Sequence, residues 1–444
     1  MKRSSSPIGA AALAVVLTIV PVLSAASAKS QTMGLQECID YALGHNTTVR
    51  QQSIAAETQR IALSTARSSR LPDVSASLGQ GWGFGRSTGR DGSTVDQTSA
   101  QTSFSVGASL PVFTGFRIPN QVRAERFQLE AALASLDKAR LDVGIQVSSC
   151  YLNALYYKGL TGVQRRQVEL DSTALADARA LYEAGRKPES EVAAAEAQVA
   201  VSRHSLTEAE GNETLARLEL MQMLNLEGSV EDFAILDIDT ASLASGIMPA
   251  DEVFTRALET HPAILAARYN LESSKYSLRA TRSGYMPTLS LSASYSNSYY
   301  HLYGGDNASL SRQLDLNGSE YLGLSLSIPI FDRFSTRNAL RQSRLSIESQ
   351  NVALDEAKQS LNKEIQQAYW NAVKARDNYT SAQFAATSTS LAYRYEAERY
   401  AAGKGTDYEL QQAATKMQQA SQDALQAKYE YLMRIKILEF YNGE

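Results

Sequence analysis

The chain has 444 residues, with 43 Lys and Arg against 47 Asp and Glu, four His, two Cys and ten Pro. A net charge of -4 with no basic tail leaves no electrostatic footprint for a nucleic-acid partner, and two cysteines cannot build a disulfide scaffold. His45, His204, His261 and His301 show no metal-ligand spacing, no cofactor motif is present, and so few prolines point to long helices rather than to the globular domains that length alone would suggest.

Lys2 and Arg3 precede an apolar run from Ile8 to Leu23, and Ala26-Ser27-Ala28 supplies the small-x-small pattern of a cleavage site. Residues 1–28 are therefore predicted to be a signal peptide. A membrane anchor is the competing reading, but the run is short and broken by Pro21, and no later stretch reaches the ~18 to 20 apolar residues of a membrane helix. Cys38 stands outside the leader with Glu37 before it, which argues against lipidation.

The first repeat, residues 29–249, reads as a helix, a strand pair at about 73–86 and 98–112, a long helix at about 117–184 and a return helix at about 188–226. In the strand pair the periodicity is two: Val74, Ala76, Leu78, Trp82 and Phe84 alternate with Ser and Gly, as do Phe104, Val106, Ala108 and Leu110. The Gly79 to Gly85 run has no helix after it and is a poor nucleotide loop. In the long helix Leu129, Leu136, Val143, Cys150 and Tyr157 recur every seven residues. A second seam, four residues out of phase, holds Val147, Ala154, Thr161, Val168, Leu175 and Tyr182. Two such seams are the a and d positions of a coiled coil, and an unbroken helix from Asn120 to Tyr182 would be on the order of 90 Å long. Gly185 suits its C-terminal cap and Pro188 the next helix start. Cys150 on a seam reads as a small buried hydrophobe, and a Cys38–Cys150 disulfide is disfavoured because the two lie on different elements.

The second repeat, residues 250–444, copies the first: a helix, strands at about 288–300 and 319–330, a long helix at about 335–402 and a return helix at about 406–440. Ala42-Leu43 matches Ala257-Leu258 and Pro72 matches Pro287 at one offset. Leu110-Pro111-Val112-Phe113 matches Ile328-Pro329-Ile330-Phe331, and Gly185 matches Gly403, at an offset three residues longer. Leu289, Leu291, Ala293 and Tyr295, then Leu322, Leu324, Leu326 and Ile328, repeat the apolar alternation.

Each strand is about as long as the ~9 to 11 residues that cross a bilayer. Four strands cannot close a barrel, and an open edge in lipid leaves backbone groups unpaired. Two chains would give a barrel filled by its own side chains. Three would give about twelve strands and a lumen, which the Ser/Gly face favours.

On these features the chain resembles the TolC-like outer-membrane efflux proteins over Leu35 to Glu444. The resemblance rests on the duplicated unit, the Leu-Pro-Val-Phe and Ile-Pro-Ile-Phe exits, and the turns at Tyr182-Glu183-Ala184-Gly185 and Tyr400-Ala401-Ala402-Gly403. It implies a mainly α protein with a membrane β-barrel: a homotrimer whose twelve-stranded barrel, four strands per chain, continues into a coiled-coil tunnel through the periplasm. Ser229 to about Pro249 and the chain ends would join an equatorial belt. Trp82, Phe84, Phe104, Leu291, Tyr295 and Leu324 would face outer-membrane lipid. The implied partners are a periplasmic membrane-fusion adaptor and an inner-membrane efflux pump or ABC exporter, with the adaptor docking at the tips near Tyr182, Gly185, Arg186, Gly403 and Lys404. The implied function is a passive exit duct for a tripartite pump or type I secretion system. Of the family's gate residues, an Asp falls on Glu191, a Tyr on Tyr400 and an Arg on Gly405. Lys404 or Arg186 is left to supply the cation, unless closure rests on less polar packing. An acidic constriction ring falls on Glu409, with Gln412 at the second acidic position. The rival reading is a periplasmic coiled-coil adaptor or structural protein, which needs no alternating aromatic strands. An enzyme is disfavoured, because no nucleophile, base and orienting acid fall together.

Overall fold

The computed structural model describes residues 31–88, 92, 94–238 and 246–443. The predicted leader and residues 239–245 of the predicted belt segment lie outside them. The first repeat contains β1 (Gln31–Met33), α1 (Leu35–His45), α2 (Thr47–Ser68), β2 (Asp73–Gly83), β3 (Arg86–Thr88), β4 (Thr94–Asp96), β5 (Thr98–Phe113), α3 (Arg117–Glu183), α4 (Glu189–Leu224) and β6 (Phe233–Ile235). The second contains α5 (Ala250–Thr260), α6 (Pro262–Arg282), β7 (Thr288–Tyr303), α7 (Leu310–Leu316), β8 (Ser319–Ser327), α8 (Ser335–Ala401) and α9 (Asp407–Asn442).

The long strands form one antiparallel sheet in the order β2-β5-β7-β8. Register carries the alternation of each strand across the whole sheet, because residues opposite each other share a face. Val74, Ala108, Ala293 and Leu322 stand in one row, and Leu110, Leu291 and Leu324 in another. Trp82, Phe104 and Tyr295 lie on that same face. The opposite face carries rows such as Ser77, Ser105, Ser296 and Ser319, with Ser77 Oγ 2.7 Å from Ser105 Oγ. Phe84 lies just past the end of β2 rather than within a strand running to residue 86: the chain turns there, Gly85 takes φ 123°, and β3 pairs with β4 as a separate small hairpin.

Both sheet exits enter the long helices through the same turn. Gly115 and Phe116 take φ 60° and 66°, and Arg333 and Phe334 take 56° and 62°. In each copy two phenylalanines meet edge to face, Phe113 with Phe116 and Phe331 with Phe334, both at 5.4 Å and 87°. The Pro-x-Phe motif thus fixes a left-handed corner stabilised by an aromatic clasp.

α3 and α8 are each 67 residues, about 100 Å. Near the sheet the helices pack in the order α2, α3, α6, α8; farther away the order is α4, α3, α9, α8. Gly144 and Gly159 permit close approach of α9, since a Cβ on Gly144 would sit 3.2 Å from the Phe440 ring and one on Gly159 3.0 Å from Leu425. Between the two levels, β1 pairs parallel with β6, and the Tyr151 hydroxyl lies within hydrogen-bond reach of the carbonyl oxygens of Leu236 (2.7 Å) and Met33 (3.1 Å). The duplication extends to the core: buried Ala42, Val49, Val143 and Val147 correspond to buried Ala257, Ile264, Leu361 and Ile365. Cys38 and Cys150 are both free thiols on this first core; Cys38 is buried and Cys150 half-buried.

The open sides of the protomer coincide at every level. One side presents β2, α2 and α4, the other β8 and α8. Those helices expose apolar residues at heptad spacing: Ile54 and Ile61 on α2, Leu345 and Val352, then Phe384 and Leu391, on α8. Val201 and Leu215 are exposed on α4, two heptads apart.

Candidate functional site: the hairpin tips

The α3/α4 and α8/α9 hairpins end in matching turns. After α3, the Gly185 N–H donates to Tyr182 O (2.8 Å) and the Arg186 N–H to Leu181 O (2.8 Å). After α8, the Gly403 N–H donates to Tyr400 O (3.0 Å) and the Lys404 N–H to Arg399 O (2.9 Å). This is the Schellman arrangement, and both glycines take positive φ, 71° and 69°, a conformation that a Cβ makes costly. The turns leave Tyr182, Arg186 and Lys404 exposed; Tyr182 is therefore at the end of the seam rather than inside it.

The structure brings Glu191 and Tyr400 together through Lys187. The Lys187 ammonium donates to the Tyr400 hydroxyl at 2.9 Å, lies 2.7 Å from Glu191 Oε2, and sits 5.6 Å from the centre of the Tyr400 ring. The Lys187 side chain is 19% exposed and that of Glu191 40%. Burial alone would lower the Lys187 pKa, but the Glu191 carboxylate and the Tyr400 hydroxyl more than reverse this, holding the ammonium above the usual lysine range. The cation in contact with both side chains in this structure is Lys187, not Arg186 or Lys404. Arg186 and Lys404 bond through their backbone N–H groups in the turns, whereas Lys187, one residue on, points back across to α8. The i,i+4 spacing of Lys187 and Glu191 was the available sequence signal. Gly405, where an arginine was expected by resemblance, lies against the backbone: a Cβ there would be 3.1 Å from Tyr400 N.

Glu409 has a local task. Its Oε2 accepts from Thr406 N and Thr406 Oγ1, both at 3.0 Å, while Thr406 Oγ1 accepts from Glu409 N. This capping box starts α9 and lowers the Glu409 pKa, chiefly through the Thr406 backbone N–H. Gln412 is exposed one turn further on and makes no part of that box.

The seam above the tips becomes polar. Nearer the middle α3 buries Val147, Tyr151 and Leu155; towards the tips it buries Gln164 and Gln167. Gln167 donates to Asp171 (2.9 Å), and Gln418 of α9 donates to Gln164 (3.2 Å). Of these two bonds only the Gln418–Gln164 bond crosses between helices, and the tip end of the hairpin still buries Ala178 and Val199.

Comparison with known proteins bears on the family and the fold as a whole. A family model described as outer membrane efflux protein matches residues 38–226 and 253–443, one match per repeat. The chain is 23% identical over 381 residues to outer membrane efflux protein BepC of Brucella suis, covering 84% of this chain and 78% of BepC. It is 22% identical over 445 residues to proteases secretion protein PrtF of Dickeya chrysanthemi, covering 97% and 92%. Among solved structures, CusC superposes with TM-score 0.77 at 17% identity, covering 92% of this chain and 91% of CusC. The open-state MtrE outer membrane channel of Neisseria gonorrhoeae superposes with TM-score 0.72 at 21% identity, covering 95% and 93%. With the family model matched once in each repeat, over most of the chain, the chain belongs to the outer membrane efflux protein family, whose members are channel proteins of the outer membrane.

Proposed function

We propose that three copies of this chain close into a passive exit duct, with the sheets forming a twelve-stranded outer-membrane barrel and the helices a periplasmic tunnel. Outer membrane efflux proteins are trimeric channels working with adaptors and inner-membrane pumps. The observation that carries the reading is the coincidence of open sides: β2, α2 and α4 on one, β8 and α8 on the other, all with unpaired edges or exposed heptad stripes. A ring of copies pairs every one of them, and lipid tolerates no open sheet edge. The apolar face with Trp82, Phe104, Leu291, Tyr295 and Leu324 then meets lipid, with Phe84 at its outer rim, and the Ser/Gly face lines water.

In this reading the Lys187 contact with Tyr400 and Glu191 ties the two hairpin tips of each copy and holds the inner end closed. The exposed turns at Tyr182, Gly185, Arg186, Gly403 and Lys404 are the surface offered to a periplasmic adaptor, and an efflux pump or ABC exporter supplies the energy. Glu409 keeps one carboxylate oxygen outside its capping box, and three copies would make a single acidic ring beside neutral Gln412, a weak cation constriction. Efflux and protease secretion both occur among the named relatives, so the pump rather than the duct sets the cargo class. Protein purified from outer membranes and reconstituted in planar bilayers should run as trimers that conduct ions. A chain released from membranes as a monomer without detergent would sink the proposal.

A further inference from the structure

β7 is longer than its partner. β8 covers it only as far as the pair Ser296–Ser319, leaving seven residues of β7, up to Tyr303, with a bare edge. Side-chain amides from the following loop and α7 satisfy that edge in place of a strand. Asn317 donates to Ser298 O (2.7 Å). Gln313, itself buried, donates to Tyr300 O and accepts from Tyr300 N, both at 2.8 Å. Asn307 donates to Leu302 O (2.8 Å) and accepts from Leu302 N (2.6 Å). Asn297 ties the helix down by donating to Leu314 O at 2.8 Å. α7 therefore occupies the lane that β8 would otherwise continue, and it exposes Leu310, Leu314 and Leu316.

What lies on the far side of that lane follows from the strand ends. In the trimeric reading, on which this inference rests, β8 pairs antiparallel with β2 of the adjacent copy. The nine residues of β8 fit wholly within the eleven of β2 only if Ser319 stands opposite Gly81, Trp82 or Gly83. Leu322, Leu324 and Leu326 share the apolar face with Val74, Ala76 and Leu78, and keeping that face continuous excludes Trp82. Within one sheet Ser319 is level with Ser77, so each copy climbs by roughly four or six residues, which corresponds to a strand tilt of about 35 to 45°. Either register ends β8 just short of Phe84 of the adjacent copy, which is 80% exposed in the single chain.

We propose that α7 is a side-chain-built substitute strand whose leucines dock on Phe84 and the neighbouring Trp82 of the adjacent copy, clasping the subunits at the outer rim of the barrel. The occupant of the leucine face is thus a second copy of this chain. In one chain α7 and Phe84 lie at opposite edges of a four-stranded sheet, roughly 14 Å apart across three strand spacings, too far for a disulfide.

The test places Leu314→Cys and Phe84→Cys together in the full-length protein, oxidises outer-membrane vesicles mildly, and counts covalent species on a denaturing gel beside an independent count of chains by native mass. Covalent dimers and trimers for the pair, and none for either single variant, support the clasp. Intact trimers without cross-links, with the Leu314→Cys thiol instead shielded by lipid, overturn it while leaving the trimer standing. Absence of any trimer in the unmodified protein would instead overturn the trimeric reading. As a second arm, Gln313→Leu removes both bonds to Tyr300 and should lower the temperature at which trimers dissociate; an unchanged temperature would count against the amide ladder's role.

Discussion

Replacing Lys187 with Met keeps most of the apolar stem and deletes the charge that joins the two hairpin tips. Two polar contacts are lost, the bond to the Tyr400 hydroxyl at 2.9 Å and the ion pair with Glu191 at 2.7 Å, together with the ammonium's approach to the Tyr400 ring. A hydrogen bond to a charged donor contributes about 1.5–3 kcal/mol, and a half-exposed ion pair ~0–1 kcal/mol. Solvent near Glu191 reduces the combined figure to about 1–2 kcal/mol per copy. If three copies release together, the closed state loses about 3–6 kcal/mol, a shift of roughly 10²–10⁴ in the open-to-closed ratio. Single-channel recording in planar bilayers reads this directly as open probability. Tyr400→Phe should give a smaller shift, because only the hydroxyl is lost, and adding it to Lys187→Met should change nothing further. Tyr400→Ala should also raise conductance, by removing a bulky ring at the tip. Lys187→Met trimers that assemble correctly yet open no more often than the parent would refute the latch.

The corner turns make a paired prediction. Gly115→Ala should destabilise the protein by more than about 2 kcal/mol, because its Cβ would collide with the Met286 side chain as well as requiring positive φ. Arg333→Gly, at the same corner of the other repeat, should instead stabilise by up to about 1 kcal/mol, both measured as denaturation midpoints. Tyr151→Phe strips the donor from the carbonyls of Met33 and Leu236, and thermal unfolding should report a loss of about 1–3 kcal/mol in the belt. His261 is buried and its pKa is lowered by that burial, so the unfolded chain takes up the proton first and stability falls as pH drops below about 6.5. The neighbouring carboxylates of Glu364 and Asp142 oppose this shift and Lys138 adds to it. Because His261 Nδ1 also accepts from Ala263 N at the start of α6, His261→Asn should keep the cap and flatten the stability profile below about pH 6.5; an unchanged slope would show that His261 does not set it.

The architecture was legible because periodicity survives in a single sequence. A period of two with Trp82 and Phe104 on one face specifies a two-faced strand, and Val147-Ala154-Thr161 at heptad spacing specifies a seam, whatever lies far away in the chain. The corner at Gly115-Phe116 was visible as a repeated motif, but not its cause, since an edge-to-face ring pair depends on backbone angles that Arg333 adopts without being glycine. The Lys187 contact was half legible. Glu191 and Tyr400 could be placed by resemblance, whereas Lys187 required the relative position of two hairpins 213 residues apart in sequence. Glu409 shows the opposite difficulty: Thr406-x-x-Glu409 is a local capping signature, readable without any family, and it describes what the carboxylate touches. The amide ladder of Asn307, Gln313 and Asn317 was out of reach, because nothing in a polar loop announces that its side chains will replace a strand.

Native mass spectrometry of the assembly purified in detergent from outer membranes counts its chains and so decides whether the protein is a trimeric duct. Three chains per particle are expected, closing every open edge at the sheet and at both helical levels. A stable monomer in the same detergent would leave β2, β8 and the α8 stripes unpaired, and a stable dimer would close only eight strands around no lumen; either contradicts the trimeric duct.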